Sequence, residues 1–364
     1  MQAVKGIHTE NVRFLLDSGA RIEASDFLGQ TALMAAAFAE KKENIDTLIG
    51  YGAKVDAVDH SGKTALMIAA RYGKIAGVLA LLDHRADINK KDDDGRTAFM
   101  HAAEGGHMEV ARALKDRGAN IDEQANNGET ALQLAVRMRD EHALQLMALG
   151  ASVDVKNKMG FTPLMEAIIH AGSTLTQELI KRGVDVNAKN KKGFTALMYA
   201  VERDDVSLVW DLIRRGANVD AADNDGKTVL MYAISRPFSE KSEELADILI
   251  RHGVNVDAAD NDGKTALMYA AANWRSSGPV ILKLCASGAS IKAVKNDGET
   301  AFVIAEKSRN REGTAALHHV LAAIEKKEAL RAAELAGKKL EEDEESDGDG
   351  HLFGDEEDCR DSKW

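Results

Sequence analysis

Gly62-Lys63-Thr64-Ala65-Leu66-Met67-Ile68-Ala69-Ala70, followed by Gly73 and then by Ile75 to Leu82, is the stretch that decides the architecture. Thr64 is a polar opener for a short apolar helix, and Gly73 ends that helix. Ile75, Val78, Leu79 and Leu82 then fall on one face of a second helix. After a turn, Ile88-Asn89 leads into Asp92-Asp93-Asp94-Gly95, a tip with turn chemistry.

Moving outward, the same Gly-x-Thr block recurs at Gly29, Gly62, Gly95, Gly128, Gly160, Gly193, Gly226, Gly263 and Gly298. The intervals are 33, 33, 33, 32, 33, 33, 37 and 35 residues, the period of a stacked array. Eight second helices close on Gly19, Gly52, Gly118, Gly150, Gly183, Gly216, Gly253 and Gly288. The ninth closes on Arg85, which is expected to hold a left-handed backbone at a cost of roughly 1 kcal/mol.

These units resemble ankyrin repeats. The resemblance covers residues 1 to about 324 and implies an all-α solenoid of about ten helix-turn-helix units with short β-hairpin or turn tips. The first unit lacks most of its opening helix. The family's Thr-Pro-Leu-His motif is altered here: only Thr162-Pro163-Leu164 keeps the Pro. The His position holds Met34, Met67, Met100, Gln133, Met165, Met198, Met231, Met268 and Val303, so the side-chain hydrogen bonds that link turns in the family are not expected. Beyond the array, 325–340 reads as a charged helical extension and 341–364 as a disordered acidic tail.

Composition narrows the function. The chain has 364 residues, 45% hydrophobic and 29% charged, and carries a formal charge of -12. Residues 341–364 account for -10 of it, leaving a nearly neutral body. A neutral body argues against a nucleic-acid binder. No apolar run is long enough to span a bilayer, which leaves a soluble protein without a membrane partner. Cys285 and Cys359 exclude a disulfide framework and a four-Cys zinc site. Met1 leads straight into Ala3-Val4-Lys5 with no signal-peptide pattern, so a cytoplasmic monomer is expected, with an incomplete N-terminus or secretion as alternatives.

Catalysis is not expected, nor is a cofactor or metal. The 11 His are scattered, and the recurring Met reads as core. The Asp-rich tips before Gly226 and Gly263 lack the twelfth-position Glu of a calcium loop, since Tyr232 and Tyr269 stand there. Glu345 to Glu356 is closer to that pattern, with Gly350 at the sixth place, and leaves a calcium- or tail-regulated module as one alternative.

The resemblance implies a non-catalytic protein–protein interaction module, a scaffold, adaptor or inhibitor, using hairpin tips and the concave helix face. A secreted or translocated bacterial effector is the other alternative. Residues that vary between units mark the surface. Phe27, Phe38 and Tyr72 form an apolar set. Lys158, Met159, Phe161, Lys191, Lys192, Phe194 and Arg203 form a basic and aromatic set suited to an acidic segment of a partner. Arg236 and Trp274 lie in the two longer intervals.

Overall fold

The computed structural model of the chain describes residues 9–138, 140–170, 172–235, 240–273 and 278–347. They form helices joined by turns, and among the described residues the tips carry only isolated antiparallel bridges, such as Ser25 to Thr31 and Ala222 to Thr228. Two compact units are present. One contains the residues up to Ala233 together with His252–Val254; the other contains Ile234–Arg251 and the residues from Asn255 on.

In the first unit, α1 (Thr9–Asp17) precedes six pairs of one inner and one outer helix. The pairs are α2 (Ala32–Phe38) with α3 (Lys42–Gly50), α4 (Ala65–Arg71) with α5 (Ile75–Asp83), and α6 (Ala98–Glu104) with α7 (Met108–Asp116). Next come α8 (Ala131–Val136) with α9 (Asp140–Ala148), α10 (Pro163–His170) with α11 (Ser173–Lys181), and α12 (Ala196–Glu202) with α13 (Val206–Arg214). Each inner helix packs on its own outer helix and on the inner helices of the neighbouring pairs. Helix α14 (Val229–Ser235) carries the boundary between the two units.

The inner helices start the same way for a chemical reason. Thr31, Thr64, Thr97, Thr130, Thr162, Thr195 and Thr228 each accept the backbone N–H three residues on. Met34, Met67 and Met231 return the bond, their sulfurs accepting the N–H of Thr31, Thr64 and Thr228 at 3.4 Å. This is a capping box in which a thioether takes the place of a Glu or Gln oxygen. The same sulfurs are core: the seven Met of this row are at most 1% exposed, so packing holds them rather than ligand chemistry.

Gln133 changes the reading of this row. Its Oε1 accepts the Thr130 N–H, and its Nε2 donates to the Phe161 carbonyl of the next repeat at 2.8 Å. A side-chain bond between turns therefore does form at this one position. Met cannot donate; the Gln amide can.

The outer helices end on residues with positive φ. The eight Gly of the series have φ from +76° to +96°, and Arg85 has φ +61°, the strained conformation expected of it.

The second unit holds α15 (Glu240–Arg251), α16 (Ala266–Ala272), α17 (Gly278–Ala286), α18 (Ala301–Lys307) and α19 (Arg311–Asp347). Asn310 is 1% exposed and ties three of its parts together. Its amide donates to the Ala271 and Asn273 carbonyls at 3.2 and 3.1 Å, while its Oδ1 accepts the Gly313 N–H at 2.8 Å. Helix α19 differs from the expected boundaries. It runs without a break across residue 325 and through the first seven residues of 341–364. A shift in composition is not a helix stop, and no Gly or Pro intervenes between Gly337 and Gly348. Among the described residues no helix is long and apolar enough to cross a membrane.

Candidate functional site

Six of the seven tips of the first unit are built on an Asp or Asn at one position, the exception being Ala125. Asn157 Oδ1 accepts the N–H groups of Met159 and Phe161 at 2.9 and 3.0 Å. Asn190 does the same for Lys192 and Phe194, and Asp223 for Asp225 and Lys227. Neighbouring tips are also bonded to one another: Lys158 N–H to the Asn127 carbonyl, Lys191 to Met159 and Asn224 to Lys192, at 2.9, 2.9 and 3.0 Å. The tips therefore form a ladder of fixed spacing.

A second tether runs from tip to inner helix, across nine residues. Asp92 meets His101 at 2.8 Å, Asn190 donates to the Tyr199 phenol oxygen at 2.8 Å, and Tyr232 donates to Asp223 at 2.6 Å. Asn157 reaches Glu166 at 3.5 Å. Where the tip residue is Ala125, the helix position holds Leu134, and both are buried. Asp26 and Asp59 keep the turn but face Ala35 and Ile68 at that position.

These tethers present two surfaces. Lys156, Lys158, Lys191 and Lys192 are exposed on adjacent tips, and among the described residues none of the four makes an ion pair. Met159 is 53% exposed beside them. Behind the tips lies an aromatic row. Phe161 stands 5.9 Å from Tyr199, Tyr199 5.2 Å from Phe194, and Phe194 5.1 Å from Tyr232, centroid to centroid. Phe161 and Phe194 are thus half-buried and stacked through Tyr199, instead of standing free in solvent. Lys227 Nζ lies 4.1 Å over the Tyr232 ring. Exposed Arg203 donates to the Ile169 carbonyl at 2.8 Å.

Phe38 and Tyr72 form a separate cluster, edge to face at 5.1 Å, with Lys74 5.6 Å over Phe38. Phe27 stands at its tip 87% exposed. Arg236 and Trp274 lie outside the described residues, as does most of the calcium-like stretch Glu345 to Glu356.

A polar row runs along the inner helices and was not singled out from sequence. Arg71 and Arg96 both bond Glu104, and Arg137 clasps Glu129 with Nη1–Oε1 and Nη2–Oε2 distances of 2.5 and 2.6 Å. Burial works against a charged Glu129, but the Arg137 bonds outweigh it and hold the carboxyl below its ordinary range. Glu166 has no such clasp: burial pushes its carboxyl up, opposed only in part by Arg137 and His170. The signal for these pairs was an eight-residue spacing, Arg96 to Glu104 and Glu129 to Arg137, visible only when the units are aligned on one another.

Asp92 and His101 are each 1% exposed in their side chains. In the second unit, burial pushes the Cys285 thiol up to about 11, which keeps it protonated at neutral pH.

A family model described as ankyrin repeats (3 copies) matches residues 1–92, 88–157, 139–223, 164–260 and 197–295, overlapping spans that together cover 1–295. No curated protein matches the chain.

Proposed function

From the premise that this chain belongs to the ankyrin-repeat family, whose repeats are protein–protein interaction modules, we propose that it is a non-catalytic scaffold, adaptor or inhibitor that takes an acidic segment of a protein partner. The segment lies along Lys156, Lys158, Lys191 and Lys192, with Met159, Phe161, Phe194 and Arg203 beside it. One observation carries the reading: four uncompensated lysines sit on two tips whose spacing is fixed by backbone hydrogen bonds, next to half-exposed rings. Preorganised charge beside aromatic surface is what interface anchors require. Some other tip lysines are neutralised within the chain, Lys91 by Glu123 and Lys264 by Asp262.

Selection from a displayed random-peptide library tests this. Wild type should enrich peptides with clustered Asp and Glu around an apolar residue, and lose them on Lys158→Glu/Lys191→Glu/Lys192→Glu substitution. A peptide of residues 341–364, with 12 acidic residues around Leu352-Phe353, is a defined competitor for the same surface. Enrichment without acidic residues, or enrichment indifferent to charge reversal, overturns the reading.

A further inference from the structure

Two carboxylates on the helices of the repeats that carry the aromatic row, Glu166 and Glu202, are left by the chain without a strong cation. Glu166 is 5% exposed, and its charged-group contact within 4 Å is to His170, at 3.6 Å, an imidazole with 45% of its side chain exposed. The guanidinium that acts on it, Arg137, is committed to Glu129 by two bonds. Glu202 is half-buried, and among the described residues it makes no ion pair. Arg203 beside it is bonded to the Ile169 carbonyl.

Glu202 stands one turn from Tyr199 on α12, and Glu166 holds the matching repeat position on α10, where Asn157 reaches it at 3.5 Å while also holding the Phe161 N–H. Burial raises the Tyr199 phenol, the Asn190 hydrogen bond opposes this, and the negative charges of Glu202 and Glu166 add to the rise. Glu202 also acts on Tyr232, the next phenol along the row. Aromatic faces flanked by carboxylates form a surface that favours a cation, since the ring quadrupole and the formal charges attract it together. The chain makes such a contact itself one repeat further on. There Lys227 lies over Tyr232, whose phenol is bonded to Asp223. In the preceding repeat the position of Lys227 is taken by Phe194, so no lysine of the chain reaches Tyr199 from that position.

We propose that the row Phe161–Tyr199–Phe194 takes a lysine or arginine side chain of the protein partner, with Glu166 and Glu202 as its counter-charges. This rests on the reading that the face takes a protein partner, and it makes the recognised segment bipartite. Acidic residues meet the lysines of the tips, and a basic residue enters behind them onto the rings. The same arrangement supplies discrimination, because a partner with an acidic residue at that point meets two carboxylates of its own sign.

The test needs no partner. The five tyrosines are replaced biosynthetically by 3-fluorotyrosine in the full chain, and fluorine NMR resonances are assigned by single Tyr→Phe variants. N-acetyl-lysine amide and N-acetyl-arginine amide are titrated, with the uncharged N-acetyl-norleucine amide as control. The Tyr199 and Tyr232 resonances should move with millimolar affinity for the cations, while those of Tyr51, Tyr72 and Tyr269 stay in place. Glu166→Gln/Glu202→Gln should weaken the response about tenfold, with the three control resonances reporting an intact fold. No movement at Tyr199, equal movement with norleucine amide, or an undiminished response in the double variant overturns the proposal. Each of these outcomes leaves the lysine-tip reading standing, because that reading is tested by charge reversal at Lys158, Lys191 and Lys192.

Discussion

The Tyr232 phenol donates to Asp223 Oδ2 at 2.6 Å, while the other oxygen of that carboxylate holds the N–H groups of its own tip. One side chain thus fastens a surface turn to an inner helix. Removing the hydroxyl in Tyr232→Phe leaves the ring stack with Phe194 and deletes the tether. The expected cost is about 1.5–3 kcal/mol, the range for a hydrogen bond to a charged group. Urea unfolding should show a lower midpoint, with faster amide exchange at Asp225 and Lys227. Exchange unchanged at those two amides counts against a tether.

The same bond has an alkaline signature. Burial, then the Asp223 hydrogen bond, raise the Tyr232 phenol above its ordinary value. A folded value above the unfolded one contributes stability that is complete below about pH 10 and is lost as pH rises further. Ultraviolet titration should therefore show Tyr232 ionising only as the fold is lost, and Tyr232→Phe should remove part of the alkaline fall in stability.

Gln133 offers a second check on how the repeats are joined. Gln133→Met restores the residue found in seven other units and keeps a buried side chain of similar size. It deletes the 2.8 Å bond to the Phe161 carbonyl and the 3.2 Å bond from Thr130. A loss of about 1 kcal/mol in chemical denaturation is expected. Stability equal to wild type means that sulfur caps the helix as well as the amide does and that the link between turns contributes nothing.

Much of this was legible in the sequence because stacking demands the same residue types at the same interval. The Gly and Thr positions announced the helix ends, and the Met row announced the core. The site was less legible. Phe161 and Phe194 stood out, but their stacking did not, because Tyr199 and Tyr232 come from positions that hold Ala35, Ile68 and Leu134 in other units. Glu129 and Arg137 escaped notice for a related reason: eight residues apart, they read as surface charges until the fold buries one against the other. Helix α19 continues past residue 340 to Asp347, in keeping with Glu-rich stretches being good helix formers.

Arg85 is the one helix terminus in the Gly series that carries a side chain, with φ +61°. Arg85→Gly removes the clash between Cβ and backbone, roughly 1 kcal/mol, and partly offsets it by loosening the unfolded chain. A net gain is expected, read as a higher melting temperature. Gly118→Ala, at φ +92°, is the mirror test and should destabilise. A lower melting temperature for Arg85→Gly sinks the assignment of strain.

Glu166 carries the last prediction, since the carboxylate proposed to meet a partner's cation also weakens the fold. Burial raises its carboxyl above the ordinary value, with Arg137 and His170 opposing. A raised folded value contributes stability below the unfolded value of about 4.3 and loses it as pH rises through the folded value. At neutral pH the charge therefore costs stability, and Glu166→Gln should raise the urea midpoint there, the advantage shrinking to nothing near pH 4. Asp92 and Glu129 behave oppositely. Burial disfavours their charge, but His101 and Arg137 outweigh it and lower both carboxyls. Their contribution is present above about pH 4 and is lost as pH falls through the folded values. The variant should keep this acid limb unchanged while gaining stability at pH 7. A neutral-pH loss in Glu166→Gln places the carboxylate among the residues that hold the fold together, and leaves no stored cost for a bound cation to relieve.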